Sequence, residues 1–129
     1  MNFKLRKVKE SDFEQLYKLS KEFEKYYQPI AIEEISVSKA QIKIDFFKNK
    51  LKNYFIVAEV EKKLVGYFEG EFEKKNKRGY IVDIFVSEKF RNLGIANKMK
   101  DSFLEELKKK KYKEIILDVN KKKSCCPHL

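Results

Sequence analysis

EKFRNLGIANKM, residues Glu88–Met99, decides how the rest of the chain is read. An apolar, strand-like run, Ile81–Val86, enters it, and an amphipathic, helix-like run leaves it. Between them stand Arg91, Gly94 and, two places later, Ala96. A strand-to-helix junction with so little side-chain bulk suits the close approach of a ligand to backbone.

Downstream, Leu93, Ile95, Ala96, Met99, Phe103, Leu104 and Leu107 form the apolar face of a helix running to about Lys111. Leu93 and Ile95 are expected to point into the core. KEIILDV, Lys113–Val119, is a final strand, reached by a right-handed crossover and so parallel to Tyr80–Val86. Upstream, YFIVAEV (Tyr54–Val60) and LVGYFEGEF (Leu64–Phe72) flank a short turn and predict an antiparallel hairpin. Gly66 and Gly70 inside its second strand suggest a bulge or a close approach to backbone.

Nearer the N-terminus, FKLRKV (Phe3–Val8) reads as a strand, and Ser11 with Glu14 as a capping box. Phe13, Leu16, Tyr17, Leu19, Phe23 and Tyr27 recur at helical spacing until Pro29. A second helix is expected over about Ile35–Leu51, with Ile42, Phe46 and Phe47 on its inner face. The order β-α-α-β-β-β-α-β predicts an α/β fold: a mixed, mainly antiparallel sheet flanked by helices.

At a helix start, four backbone N–H groups lack intrahelical partners and the macrodipole adds positive charge. Glycine at 94 removes the Cβ that would hold an anion away, and Arg91 adds donors matched to phosphate oxygens. The junction therefore suits phosphate or pyrophosphate. A Walker loop needs Gly-Lys-Ser/Thr, and a dinucleotide fingerprint needs three spaced glycines; neither occurs.

Arg91-Asn92-Leu93-Gly94-Ile95-Ala96, preceded by IFVSEKF, resembles the acetyl-CoA motif of the GCN5-related N-acetyltransferase (GNAT) family, Arg/Gln-x-x-Gly-x-Gly/Ala. The element order and the EKKLVGY hairpin are similar too, and the resemblance covers about residues 1–120. It implies an acyl-CoA N-acyltransferase-like fold and an enzyme that transfers acetyl directly from acetyl-CoA to an amine. It also implies that backbone at Arg91, Asn92, Leu93, Gly94, Ile95 and Ala96 holds the pyrophosphate. The bulged strand end, Ile84, Phe85 and Val86, would pair with the pantetheine arm and polarise the thioester carbonyl, and Asn120 would touch the cofactor.

The attacking amine must lose a proton, so a carboxylate or a water it orders is the expected base. Asp83 stands out in an otherwise apolar strand, and some relatives hold the amine with an acidic residue there. Glu69 is the second candidate and Glu71 a third, although alternating charges on a strand usually mark a wet face.

Family members usually continue past the last strand with a helix, further strands and a tyrosine acting as general acid. Here Asn120 is followed by KKKSCCPHL, and no tyrosine occurs after Tyr112, so no catalytic acid is assigned. The expectation is a C-terminally truncated domain over 1–120, with 121–129 a disordered or non-native tail. An exposed last-strand edge then predicts a homodimer. Cys125, Cys126 and His128 fit tetrahedral zinc poorly, so no metal is expected.

The 129 residues suffice for one domain. Thirty basic residues against twenty acidic ones give a net charge of +10, which suits an anionic ligand. No signal peptide and no stretch near the roughly 20 apolar residues of a membrane span is evident, so a cytoplasmic location and no membrane partner are expected. The acceptor is an amine-bearing small molecule or a protein or peptide; the basic surface mildly favours an acidic one. Two alternatives stand beside the enzyme: a catalytically impaired acetyl-CoA-binding remnant and, ranked last, a basic nucleic-acid-binding module without a recognised motif.

Overall fold

The structure is a computed structural model that describes residues 2–27 and 38–117. Among the described residues, five strands form one sheet in the order β1-β2-β3-β4-β5: β1 (Lys4–Lys7), β2 (Tyr54–Val60), β3 (Lys63–Glu73), β4 (Arg78–Val86) and β5 (Glu114–Leu117). The first three pairings are antiparallel, and β4 with β5 is parallel. Helices α1 (Phe13–Tyr27), α2 (Lys39–Lys48) and α3 (Ile95–Lys109) complete the predicted order.

The sheet carries a different core on each face. On one, Phe103 and Met99 of α3, both fully buried, pack against Tyr54, Ile56 and Phe68. On the other, Phe13, Leu16 and Leu19 of α1 and Phe46 of α2 meet Phe55, Val57, Tyr67 and Phe85. Period-two alternation divides these residues between the faces. The alternation breaks twice. Val82 is an extra residue in β4, since Glu69 pairs with Asp83 but Gly70 with Ile81. The bulge lets Ile81 and Ile84, an odd number of positions apart, both face α3, and turns Asp83 to the α1–α2 side. Val65 makes a matching bulge in β3.

Both glycines of β3 answer close approaches. A Cβ on Gly70 would lie 2.6 Å from the Phe103 ring, and one on Gly66 would lie 2.8 Å from the Phe85 carbonyl oxygen. The expected bulge does lie beside each.

Several local expectations need correction. Ahead of the first helix the capping carboxylate is that of Asp12, which closes a 3-10 turn over Glu10–Asp12: it accepts the Lys9 N–H at 2.8 Å and both terminal nitrogens of Arg6 at 2.9 Å. Burial pushes the Asp12 carboxyl up, but Arg6 and the Lys9 N–H outweigh it and hold it below the ordinary value. Helix α2 begins at Lys39, where Ser38 accepts the Gln41 N–H, and ends at Lys48; the expected first turn from Ile35 lies outside the described residues, as does Pro29. Phe46 takes the inner position, while Phe47 is 37% exposed. Leu93 is also exposed rather than buried, because the turn before α3 points it outward; Ile95 alone of that pair enters the core. Leu104, expected on the inner face of α3, is exposed as well.

Candidate active site

At the end of β4 the chain is tied down from three directions. The Ser87 N–H donates to the Val65 carbonyl at 2.8 Å. Glu22 of α1 receives the Ser87 hydroxyl at 3.0 Å and the Glu88 N–H at 3.2 Å. Arg91 Nε donates to the Val86 carbonyl at 2.8 Å, with its guanidinium 5.5 Å from the Phe85 ring centroid. Arg91 thus fastens the turn to the strand end, a task its sequence position did not reveal.

Between these ties and α3 the backbone enters the left-handed region twice, at Asn92 (φ 64°) and at Gly94 (φ 87°). Gly94 is the N-cap of α3 and supplies no capping side chain. A Cβ there would meet no heavy atom within 4 Å. Glycine is therefore required by conformation, and the space beside it is open. The Lys98 N–H bonds back to the Gly94 carbonyl at 3.0 Å, and the N–H groups of Ile95, Ala96 and Asn97 lie in the first turn, ahead of that bond. Ile95, 1% exposed, anchors this turn in the core.

Ile84, Phe85 and Val86 are buried and pair with Phe68, Tyr67 and Gly66 of β3. Strand β5 pairs only with Arg78–Ile81. Among the described residues, the other edge of 82–86 therefore has no strand beside it. Asn120 lies outside the described residues.

The carboxylate candidates meet on the opposite face. Glu69 and Asp83 are cross-strand partners, and both line a cavity of about 110 Å³ between the sheet, α1 and α2. Its remaining wall is mainly apolar, with Phe13 and Leu16 from α1, Ile42 and Phe46 from α2, and Phe55 and Tyr67 from the sheet. The expected wet face at Glu69 is wrong: the residue is 3% exposed, because α2 and the turn after it cover this end of the sheet. Glu71, one pleat on, is exposed and outside the cavity.

Two carboxylates opposite each other repel. Lys50, from the turn after α2, offsets this: its Nζ lies 3.0 Å from Glu69 Oε1. Asn53 donates to Glu69 Oε2 at 2.7 Å. Burial pulls the Lys50 ammonium down, but Glu69, with smaller contributions from Asp45 and Asp83, raises it above the ordinary lysine value, so it stays charged. Asp83 Oδ1 is buried. Lys50 and Asn53 carried no recognisable signal in the sequence; only the fold brings them to Glu69.

Among the described residues no helix is long and apolar enough to cross a membrane, and no group of three or more His, Cys, Asp and Glu side chains is placed to hold a metal ion.

Comparison with known proteins agrees with this architecture. No curated protein matches the chain. Among solved structures, a predicted acetyltransferase with acetyl-CoA from Clostridium acetobutylicum superposes with a TM-score of 0.70 at 22% identity, over 90% of this chain and 80% of that one. A GNAT-family acetyltransferase from Staphylococcus aureus Mu50 gives 0.72 at 20%, over 90% and 73%. The PaiA N-acetyltransferase of Thermoplasma acidophilum in complex with coenzyme A gives 0.65 at 16%, over 87% and 76%. These likenesses show the fold. The sequence profile of the acetyltransferase (GNAT) family matches residues 13–124, most of the chain, so the chain belongs to the GNAT acetyltransferase family.

Proposed function

We propose that the chain is an acetyl-CoA-dependent N-acetyltransferase that moves an acetyl group to an amine by direct attack in a ternary complex. One observation carries this reading. Strand β4 bears the half-buried acid of the cavity, Asp83, and three residues later it ends at the junction opened by Gly94. A donor on the junction and an amine in the cavity would thus meet along one strand.

The residues present fit a coenzyme A pyrophosphate. The left-handed Gly94 leaves open space where any other residue would place a Cβ. The first-turn N–H groups at Ile95, Ala96 and Asn97 supply donors at the positive end of α3, and Asn92, Leu93 and Gly94 complete the loop. Arg91 contributes mainly by fixing the loop through Val86. Along Ile84–Val86, strand backbone can hydrogen-bond an extended pantetheine arm as an added strand would. Acetyl-CoA supplies an activated acyl carbon and a thiolate leaving group. The two solved relatives with acetyl-CoA and coenzyme A support this choice of donor.

On the acceptor side, Glu69 has both carboxylate oxygens engaged, by Lys50 and Asn53, and serves as a fixed negative charge that attracts the ammonium. Asp83, opposite it and next to the strand end, accepts the amine proton directly or through one water. The neutral amine then attacks the thioester. General base help of this kind is typically worth about 10²–10⁴-fold. The test is thiol release from acetyl-CoA with a panel of primary amines. Amine-dependent release that Asp83→Asn reduces at least about tenfold supports the assignment; binding of acetyl-CoA with no turnover on any amine makes the chain a binding remnant.

A further inference from the structure

The overall basicity of the chain points toward an acidic acceptor, but the cavity points elsewhere. Phe13, Leu16, Ile42, Phe46, Phe55 and Tyr67 give it an apolar, largely aromatic wall. Among the described residues its charged lining side chains are Lys50, Glu69 and Asp83, two acids against one base. An acidic or phosphorylated acceptor would have to place its anion against apolar rings or beside two carboxylates. A polyhydroxylated acceptor would strip water from many hydroxyls, against a wall whose own hydroxyls come from Tyr17, Ser20 and Tyr67 alone among the described residues.

We propose, resting on the acetyltransferase reading above, that the acceptor is a primary amine on a compact apolar or aromatic body, an arylalkylamine in shape. Its ring lies between α1 and α2, and its ammonium points to Glu69 and Asp83. The size sets a limit: the cavity measures about 110 Å³, less than the roughly 150 Å³ of an apolar cavity that encloses a benzene ring, so a single ring fits only by extending into the mouth. With its open mouth the cavity takes one ring and a short linker. Lys50 Nζ, 3.0 Å from Glu69, already shows a cation seated against this carboxylate from the protein side. The rings at the wall favour such a ligand further, since aromatic pairs gain beyond their buried area.

The test is calorimetric titration of phenethylamine into the full chain at pH 7, with and without coenzyme A. The neutral isostere 2-phenylethanol, sisomicin and glutamate are the comparators. The expected result is one phenethylamine site, bound at least about tenfold more tightly than any comparator. Ile42→Lys, which sets a cation in the wall, and Ser20→Phe, which narrows the cavity, should each weaken phenethylamine at least about tenfold. Acetyl-CoA affinity, which also reports that each variant is folded, should stay within about twofold. Sisomicin or glutamate binding as tightly as phenethylamine, or no phenethylamine binding by a chain that binds acetyl-CoA, overturns the inference and leaves the acetyltransferase reading standing. Phenethylamine binding by a chain that does not bind acetyl-CoA supports the occupant and removes the acetyltransferase reading instead.

Discussion

The two faces of the sheet are built on opposite plans. Toward α3, Phe103 packs tightly against Phe68, Phe72 and Tyr54 at ring separations of 5.2–5.4 Å, and even Gly70 and Gly79 exist to make room for α3 side chains. Toward α1 and α2, an aromatic set of similar size leaves a cavity and admits an ion pair, Lys50–Glu69. One layer is closed around α3; the other leaves a cavity of about 110 Å³, which the proposed acceptor would fill. The proposed donor site differs again, being mostly backbone at the seam between β4 and α3.

That contrast can be broken most severely at Asp83. Asp83→Asn should lower amine-dependent turnover by about 10²–10⁴-fold while acetyl-CoA affinity holds, as read by steady-state kinetics beside calorimetry. A loss confined to KM would make Asp83 a binding group and no base.

Next come the two cores. Phe103→Ala should cost about 3–5 kcal/mol in urea unfolding. Phe46→Ala should cost at least about 1 kcal/mol less, because Phe46 already borders open space and loses fewer packed neighbours. Equal costs would mean that the cavity closes in solution.

The α1 wall of the cavity depends on the Arg6–Asp12 clamp, which can be probed with acid. The Asp12 carboxyl lies below its ordinary value of 3.8, so its stabilisation is fully present above that pH and is lost as pH falls through the lower folded value. Asp12→Asn should therefore destabilise by about 1.5–3 kcal/mol at neutral pH. The gap to wild type should shrink steadily in unfolding curves taken below pH 3.8. A gap that is constant with pH would show that shape, and not charge, makes the clamp.

The smallest effect belongs to Gly94→Ala. A methyl group meets nothing there, so only the left-handed backbone resists it, at about 1 kcal/mol. The change should appear as a modest fall in the denaturant midpoint with folding intact.

The same contrast explains what the sequence could and could not tell. Regular features were legible because they are local: the helical spacing from Phe13 to Phe23, the β2–β3 hairpin, and the strand–Gly94–helix junction each sit within a short window. Leu93 misled because the left-handed turn at Asn92 and Gly94 rotates it out of the helical pattern. Glu69 looked solvent-facing because alternation reports which face a residue lies on, and not what covers that face. Lys50 and Asn53, nineteen and sixteen residues before Glu69, become its partners only once α2 folds over the sheet. The bulge at Val82, which turns Asp83 to the cavity, is signalled only by Gly70 on the facing strand, since valine itself fits any strand position.

The most direct test of the account is calorimetric titration of acetyl-CoA into the wild-type chain and Gly94→Glu at moderate salt. The account predicts saturable binding at one site by wild type. It also predicts at least about a tenfold loss in the variant, whose side chain would put bulk and negative charge into the open space beside the first turn of α3. Equal binding by both proteins, or none by folded wild type, would contradict the placement of the donor at this junction.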